Sequence, residues 1–343
     1  MFTSQLKSIE LPFPLLTHET HILEVSSHFL KKNPLGDSSV RQNYVLLPKG
    51  DFQSLPVIFH LSGYFSTGFQ SFGVKTLSDN YVQKIDLKTK EGKFPKAIHV
   101  FVEATSFWGG SQFINSPGCG KYLDYILKEL VPSVAKNFPA SKKSKEWCVM
   151  GASSGGYGAL QIISQSDQFG LGCAIAPDSF FETSLLPELF EAGPELSKYK
   201  SFSEIKKLLK KDELQDKRSF FNLMNVIAMA HCYSPKDAFK KDYLDFPIDL
   251  YSGEIKKALW SQWKKHDPVV FLKKREKKLK GKEVFLDVGK YDNFSLQYGT
   301  RQIASILKKQ KVKTTYTEFS GTHFGLTKRR LLFLAELKCK WEK

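Results

Sequence analysis

A short apolar stretch that ends in a run of small residues carries the strongest chemical signal in this chain. Residues 147–160 read WCVMGASSGGYGAL, which predicts a buried strand, a sharp turn at Ser153 and a following helix. Gly151 and Gly155 stand two residues before and after Ser153, where so tight a turn leaves almost no room for a side chain. The pattern is typical of a nucleophile elbow, which holds a serine hydroxyl above the edge of a sheet.

Ser154 fits the nucleophile position less well, because it lacks a glycine on both sides at the required distance. Its backbone has a different candidate role. A helix that begins at Ser154 directs its first N–H groups toward the place where an oxyanion develops. A second N–H donor is expected in the loop after the apolar strand 55–62, where Tyr64 is the candidate and Phe65 the alternative.

A serine hydroxyl becomes a nucleophile at neutral pH only beside an imidazole, which in turn needs a carboxylate to orient it. Of the eight histidines, His323 alone stands in a loop of small residues after the last predicted strand, 312–319. Asp292 follows the preceding strand, 283–288. The acid and the histidine then occur in the chain order that is typical of α/β-hydrolases, so we predict that they complete a triad with Ser153.

Two further carboxylates and a glycine-rich loop stand where they can reach the same edge of the sheet. Asp287 is the alternative acid, although its place within a strand favours contact with the core or with a neighbouring helix. Asp178 closes the predicted strand 172–177; it is a third candidate for the acid, although it is expected instead to shape the pocket. A loop between the apolar strand 97–103 and a predicted helix should also lie at the carboxyl end of the sheet. Its expected substrate-binding residues are Gly110, Ser111 and Gln112.

The elements that must position these residues alternate between apolar strands and amphipathic helices. This rhythm predicts an α/β-hydrolase fold, a mostly parallel central sheet with helices on both faces, as one domain over residues 1–343. Residues 24–48 should form an edge hairpin that opens the sheet, within an N-terminal edge-strand region over residues 1–50. A predicted helix at 121–138 contains Pro132, which should kink it. Residues 179–268 interrupt the rhythm with many aromatic side chains, which favours an insertion that acts as a lid or a pocket wall.

The composition excludes several classes of protein. Of 343 residues, 41% are apolar and 25% charged, and no stretch approaches eighteen consecutive apolar residues, so we expect a cytoplasmic protein without a membrane span. Five cysteines without CxxC spacing favour reduced thiols over a disulfide framework or a zinc site. The net charge of +16 is concentrated in lysine runs with little arginine, which indicates solvated helix faces rather than a nucleic-acid partner. These runs lie at 206–211, 273–282, 308–313 and 328–330.

Several short segments, spread over nearly the whole chain, match the motifs of a known family. The matching residues are 33–37 (NPLGD), 109–112 (GGSQ), 122–132 (YLDYILKELVP), 151–156 (GASSGG), 177–181 (PDSFF), 288–292 (VGKYD) and 321–325 (GTHFG). On these residues the chain resembles the putative-esterase branch of the α/β-hydrolases, the group that holds esterase D (S-formylglutathione hydrolase), enterochelin-esterase-like proteins and mycolyltransferases. One departure is 61–63 (LSG), where many members carry a His-Gly pair after the strand. The resemblance implies a triad of Ser153, Asp292 and His323 with Tyr64 and Ser154 as oxyanion donors.

The predicted activity is hydrolysis of carboxylic esters through an acyl-enzyme on Ser153, with a small-molecule or lipid-like ester as substrate and with no metal or organic cofactor. Two alternatives stay open. An acyltransferase would use the same triad but pass the acyl group to an alcohol. A non-catalytic binding protein on a hydrolase scaffold would dock through the lysine-rich faces. The oligomeric state is not predicted.

Overall fold

A nine-stranded sheet forms the centre of the computed structural model, which describes residues 2–199, 201–211, 220–235 and 245–342. A separate two-stranded hairpin consists of β6 and β7. The strands are β1 (Thr3–Ser8), β2 (His18–Ser26), β3 (Val40–Pro48), β4 (Val57–Leu61), β5 (Ile98–Phe101), β6 (Asn115–Ser116), β7 (Gly120–Lys121), β8 (Trp147–Ala152), β9 (Leu171–Ile175), β10 (Glu283–Gly289) and β11 (Lys313–Phe319).

The strand order in the large sheet is β1-β2-β3-β5-β4-β8-β9-β10-β11. The pairs among β1, β2, β3 and β5 are antiparallel, and all later pairs are parallel. The predicted N-terminal hairpin is present as β2 and β3, but β1 lies outside it and forms the edge of the sheet. The carboxyl ends of β4, β8, β9, β10 and β11 meet along one edge, where open parallel sheets place their functional loops.

The central strands are buried on both faces, which explains their continuous apolar sequences. Every residue of β4, β5, β8 and β9 is buried. Along β4, the side chains of Val57 and Phe59 pack into one core layer, whereas that of Ile58 packs into the other. The two-residue alternation of a strand therefore supplies both hydrophobic layers of the protein.

Helices cover both faces of the sheet. The layer that contains Ile58 is covered by the helices at residues 81–90 and 327–341. The opposite layer is covered by the helices at residues 154–163 and 296–309 and by those between β9 and β10. The helices are α1 (Tyr81–Lys90), α2 (Tyr122–Tyr125), α3 (Val131–Asn137), α4 (Ser154–Ile163), α5 (Leu185–Leu196), α6 (Phe202–Lys210), α7 (Phe220–Tyr233), α8 (Lys257–Lys264), α9 (Pro268–Phe271), α10 (Glu276–Leu279), α11 (Leu296–Lys309) and α12 (Thr327–Trp341).

The helix predicted at 121–138 is continuous but changes its geometry before the proline. A π-helical turn at Ile126–Leu130 joins α2 to α3, and Pro132 stands in the first turn of α3. A proline within a helix lacks an N–H donor, and its ring crowds the carbonyl group four residues earlier. The wider π turn accommodates that carbonyl, so the irregularity precedes Pro132 instead of following it.

The segment between β9 and β10 is helical where it is described. It contains α5 to α10, whereas residues 200, 212–219 and 236–244 of the predicted insertion lie outside the described part of the chain. The carboxylate of Asp267 links the start and the end of this segment through hydrogen bonds. It accepts the backbone N–H groups of Phe180 (3.0 Å) and Phe181 (2.8 Å) and also that of Val269 at the start of α9 (2.9 Å). Among the described residues, no helix has the length and apolar character that a membrane span requires.

Candidate active site

Ser153 occupies the turn between β8 and α4 with a strained backbone. Its dihedral angles are φ 59° and ψ −128°, a conformation that costs a non-glycine residue about 1–3 kcal/mol. Two backbone hydrogen bonds hold it there: its N–H donates to Ile175 O (2.9 Å), and its C=O accepts from Tyr157 N (2.9 Å). The surrounding backbone therefore fixes the position of the Ser153 side chain at the edge of the sheet.

Gly151 and Gly155 allow the end of β8, the start of α4 and the end of β4 to pack with their backbones in contact. A Cβ atom on Gly155 would lie 2.5 Å from the carbonyl oxygen of Leu61 at the end of β4. A Cβ atom on Gly151 would collide with the backbone of Gly155. Both positions need glycine because they lack space for a side chain, as the spacing around Ser153 predicts.

Asp178, at the loop that follows β9, is the closest polar partner of the Ser153 hydroxyl. The Ser153 Oγ donates to Oδ1 of Asp178 at 3.4 Å, and the Ser154 Oγ donates to Oδ2 at 2.7 Å. Burial raises the pKa of the Asp178 carboxyl, while the Ser154 hydrogen bond and the nearby His323 oppose that rise. Asp178 thus lies in direct contact with both serines, and it also lines the cavity beside Ser153.

His323 and Asp292 meet across the loops that follow β11 and β10. His323 Nδ1 lies 2.7 Å from Asp292 Oδ2, and the backbone N–H of His323 donates to Asn293 Oδ1 at 3.2 Å. Asp292 also accepts the N–H of Phe294 at 2.9 Å. The alternative acid, Asp287, instead pairs with Arg329 Nε at 2.5 Å.

The third predicted contact of the triad is not formed in this conformation. Within the described residues, no hydrogen bond joins Ser153 to His323, because the Ser153 hydroxyl is directed toward Asp178. The imidazole has Phe294 edge-on to it, with the ring centroids 4.7 Å apart. The histidine is therefore oriented by its carboxylate and by an aromatic side chain.

The loop after β4 passes directly over Ser153. A Cβ atom on Gly63 would lie 3.8 Å from Cβ of Ser153, which places the following residue, Tyr64, next to the turn. Phe65 N donates to Gly109 O at 3.1 Å, so the alternative donor is already engaged. In the part of the chain that the structure describes, the N–H groups of Tyr64 and Ser154 have no protein acceptor.

The predicted substrate-binding loop contacts Ser154 and the side chain of Tyr64. Ser111 Oγ donates to Ala104 O at 2.6 Å, and a Cβ atom on Gly110 would lie 3.0 Å from the Tyr64 ring. Gln112 reaches the turn itself, since its Nε2 donates to Ser154 Oγ at 3.3 Å. Gly110 and Ser111 therefore contact the loop backbone and Tyr64, whereas Gln112 contacts a residue of the elbow.

A small cavity of about 30 Å³ opens beside Ser153. Helices α5 and α7, which lie between β9 and β10, supply much of its wall. The role of residues 179–268 as a lid or pocket wall stays a prediction. It is lined by Tyr64, Ser153, Ser154, Asp178, Ser184, Leu185, Glu188, Phe221, Asn225, Phe294 and Leu296. Its volume is about that of one water molecule, so it fits only a small group of a substrate.

Glu188 and Asn225 are cavity residues that the sequence analysis misses. Asn225 Nδ2 donates to Glu188 Oε2 at 2.5 Å, and Glu188 is only 7% exposed. A signal was available, because Glu188 has helical spacing to Leu185, Leu189 and Ala192 and so lies on the buried face of α5. An acid on an apolar helix face indicates a special environment.

The cavity is acidic although the chain as a whole is strongly basic. Burial raises the pKa of Glu188 to about 8, and the negative charge of Asp178 adds to this rise. No lysine or arginine is among the described residues that line the cavity. The positive charge of the surface lysines therefore does not extend to the space beside Ser153.

The candidate site residues are absent from the other large groove of the protein. A larger groove of about 1140 Å³ lies between α1 and α12, but it contains none of the predicted site residues. Among the residues that the structure describes, no group of three His, Cys, Asp or Glu side chains is arranged to hold a metal ion. The site is thus built from Ser153, Asp178, Asp292 and His323.

A family model described as "Putative esterase" matches residues 39–326 of this chain. The fold is also similar to those of several solved structures. A ferulic acid esterase is 15% identical, with a TM-score of 0.57 over 94% of this chain and 98% of the other. The fluorophosphonate-binding serine hydrolase F of Staphylococcus aureus is 17% identical, with a TM-score of 0.53 over 93% and 99% of the two chains.

An S-formylglutathione hydrolase from Agrobacterium tumefaciens is 14% identical, with a TM-score of 0.52 over 96% of this chain and 98% of the other. At such low identities the similarity establishes the fold alone, and the predicted α/β-hydrolase fold is confirmed. A comparison with curated protein sequences gives no match.

Proposed function

The chain belongs to the putative esterase family and is a carboxylic ester hydrolase, and we propose that it cleaves its substrate through an acyl-enzyme on Ser153. One observation carries this proposal. The strained serine at the end of β8 shares an edge of the sheet with a histidine whose Nδ1 is 2.7 Å from a buried carboxylate. A nucleophile, a base and a group that orients the base are the parts that acyl transfer requires.

In the proposed first step, Ser153 Oγ turns from Asp178 toward Nε2 of His323, which takes its proton as Oγ attacks the ester carbonyl. Asp292 accepts the Nδ1–H of His323, and it stabilises the imidazolium that forms. The protonated histidine then donates its proton to the leaving alcohol. Water attacks the acyl-enzyme in the second step, with His323 again as the base.

The backbone N–H groups of Tyr64 and Ser154 are the proposed oxyanion donors. Both lie next to Ser153, and neither donates to an acceptor among the described residues. The amide of Ser154 begins α4, so the positive end of the helix dipole adds to its hydrogen bond. The hydrogen bonds from Gln112 to Ser154 Oγ and from Ser154 Oγ to Asp178 support the position of this residue.

The cavity beside Ser153 supports a small acyl group as the substrate's acyl part. Its volume of about 30 Å³ accommodates a group the size of a methyl, and its carboxyl groups disfavour an anionic one. The long-chain, lipid-like ester of the sequence-based alternatives receives less support from this geometry.

Labelling with a fluorophosphonate tests the proposal directly. The probe phosphonylates an activated serine, and peptide mass mapping should find the adduct on Ser153. Labelling should be lost in Ser153→Ala and retained in Ser154→Ala. Hydrolysis of 4-nitrophenyl acetate by the same preparations should follow the labelling. If Ser153→Ala hydrolyses this ester at the wild-type rate, Ser153 is not the nucleophile.

A further inference from the structure

Two cysteine side chains from distant parts of the chain meet beside the site. Cys119 lies between β6 and β7, and Cys232 lies near the end of α7, 113 residues later. Their Sγ atoms are 3.2 Å apart. Both residues are almost fully buried, at 1% and 2% exposure. The fold therefore brings two thiols into direct contact between the glycine-rich loop and a helix of the insertion.

The two backbones are also close at this point. A Cβ atom on Gly118, next to Cys119, would collide with the carbonyl oxygen of His231, next to Cys232. Ser116 Oγ donates to the same carbonyl at 3.1 Å. A disulfide needs a Cα–Cα separation of about 4.4–6.8 Å, which only closely packed backbones provide. The contacts around both cysteines show that the two backbones are packed closely at this point.

We propose that Cys119 and Cys232 are a cross-linking site, at which hydrogen peroxide or a similar small hydroperoxide converts the two thiols into a disulfide. One thiol is oxidised to a sulfenic acid as the peroxide O–O bond breaks and water leaves. The other thiol then attacks the sulfenic sulfur, and a second water leaves as the S–S bond forms. The two thiols lose two electrons and two protons, and the peroxide is reduced to water.

The chemical environment determines how this reaction proceeds. The contact with Cys119, together with burial, raises the pKa of the Cys232 thiol, so little thiolate is present at neutral pH. Oxidation is therefore slow and limited to a small oxidant that enters the core. The new bond requires the sulfur atoms to approach by roughly 1 Å, to the S–S length of about 2.05 Å.

The cross-link would join two parts of the pocket. Helix α7 carries Asn225, which lines the cavity, and Met229, whose sulfur accepts from Gln112 Nε2 at 3.2 Å. Gln112 and Cys119 lie in the same connection between β5 and α2. A bond between Cys119 and Cys232 therefore fixes α7 to the loop that contacts Ser154. Since the loop it closes is long, the bond also restricts the unfolded chain.

Peptide mapping of the full chain tests this inference. The folded protein is treated with hydrogen peroxide, the excess is removed with catalase, and the remaining thiols are alkylated after denaturation. We expect a linked peptide that contains Cys119 and Cys232, and we expect Cys148 and Cys173 to remain alkylated. Cys339 is exposed and is left out of the count, because peroxide oxidises an exposed thiol directly. Urea should unfold the oxidised protein at a higher concentration than the reduced protein, and dithiothreitol should reverse this shift.

Cys148 offers a matched control, because it is equally buried but lies on β8. Cys148→Ala should retain the linked peptide, whereas Cys232→Ala should lose both the peptide and the urea shift. The inference is overturned if Cys119 and Cys232 are both alkylated in the wild-type protein, if the linked peptide joins another pair, or if Cys119 or Cys232 gains oxygen without a cross-link. None of these measurements depends on esterase activity, so the outcome is separate from that for Ser153.

Discussion

His323 Nδ1 lies 2.7 Å from Asp292 Oδ2, and the side chain of Asp292 has no exposed surface. The other acid of the same strand end, Asp287, is paired with Arg329 and is partly exposed. The two carboxylates therefore hold different partners, although they stand five residues apart. Replacing Asp292 should therefore lower the catalytic rate, whereas replacing Asp287 should lower the stability of the folded protein.

Asp292→Asn should lower kcat for 4-nitrophenyl acetate by about 10³–10⁴-fold, because an amide favours the wrong tautomer of His323 and cannot stabilise an imidazolium. Asp287→Asn should keep kcat within the same order of magnitude and instead lower the free energy of unfolding by about 1–2 kcal/mol, through loss of the Arg329 ion pair. Steady-state kinetics and urea unfolding of both variants measure these effects. A larger loss of kcat in Asp287→Asn would assign the acid to that residue.

Ser153→Ala should lower kcat by about 10⁴–10⁶-fold, because water must then attack the ester without a covalent intermediate. Ser154→Ala is the matched control. It retains the backbone N–H and loses the hydroxyl contacts with Asp178 and Gln112, so a loss of about tenfold or less is expected from broken hydrogen bonds. Burst kinetics with 4-nitrophenyl acetate measure both, and a normal burst in Ser153→Ala would contradict the proposed acyl-enzyme.

Gly155→Ala should lower the free energy of unfolding by about 3 kcal/mol or more, because its Cβ would lie 2.5 Å from the Leu61 carbonyl oxygen. Gly193→Ala is the control. Its Cβ would have 3.9 Å to the nearest atom, on Ile248, and it lies inside α5, so a gain of about 0.5–1 kcal/mol is expected. Urea unfolding measures both. Equal stability of the two variants would show that the turn relaxes around a methyl group.

The stability of the folded protein should depend on the charge of Glu188. Burial raises the pKa of Glu188 to about 8, whereas a glutamate in an unfolded chain titrates near about 4.3. Between these values the unfolded state has lost the proton that the folded state keeps. The free energy of unfolding therefore falls as pH rises, with a contribution from this group of up to about 1.4 kcal/mol per pH unit.

Glu188→Gln removes this contribution and still offers an oxygen to Asn225. The difference in unfolding free energy between wild type and Glu188→Gln should change in favour of the variant from pH 5 to pH 8 and level off above pH 8. Urea unfolding across this range measures the difference. Glu276→Gln, at an exposed position on α10, is the control. A difference that is independent of pH would mean that Glu188 is ionised in the folded protein.

Neutral short-chain esters should be better substrates than anionic ones. A carboxylate on the acyl group would lie against Asp178 and Glu188. The charge of Asp178 opposes it at neutral pH, and the charge of Glu188 adds to this opposition only above about pH 8, where that carboxyl loses its proton. We expect kcat/KM to be highest for 4-nitrophenyl acetate and lower for 4-nitrophenyl butanoate, whose chain is longer than the methyl-sized cavity. 4-Nitrophenyl hemisuccinate has the same chain length as the butanoate but adds a charge, which should lower kcat/KM by about a further 10–100-fold.

The ratio of kcat/KM for the butanoate to kcat/KM for the hemisuccinate should increase above pH 8 in wild type, because Glu188 then becomes charged. It should increase less in Glu188→Gln. Equal kcat/KM values for the butanoate and the hemisuccinate would place the acyl group outside the cavity.

The backbone geometry of the site could be predicted because the sequence patterns that specify it are local. Gly151 and Gly155 fix the turn at Ser153 through contacts that any sequence with this spacing must make. His323 and Asp292 follow apolar strands, and the carboxyl ends of parallel strands meet at one edge of the sheet. Order along the chain was therefore enough to predict the contact between these two residues.

The pocket wall was not predictable in the same way, since it depends on how separate helices pack. Glu188 and Asn225 come from α5 and α7, and nothing in either segment alone indicates their contact. The same holds for Cys119 and Cys232, whose wide spacing in the sequence favoured independent thiols. The contact of the Ser153 hydroxyl with Asp178 depends on a side-chain rotamer, which sequence patterns do not specify.

The proposed catalytic residues and the cavity residues lie in different parts of the fold, and this separation has an evolutionary consequence. Loops at the ends of the parallel strands carry Ser153, Asp292 and His323, while α5 and α7 carry Glu188 and Asn225. Under the proposed function, mutations in these two helices should change which acyl group is accepted without altering the backbone contacts that strain Ser153. A lineage with this architecture can diversify its substrates by drift in one segment, while selection preserves the reaction in another.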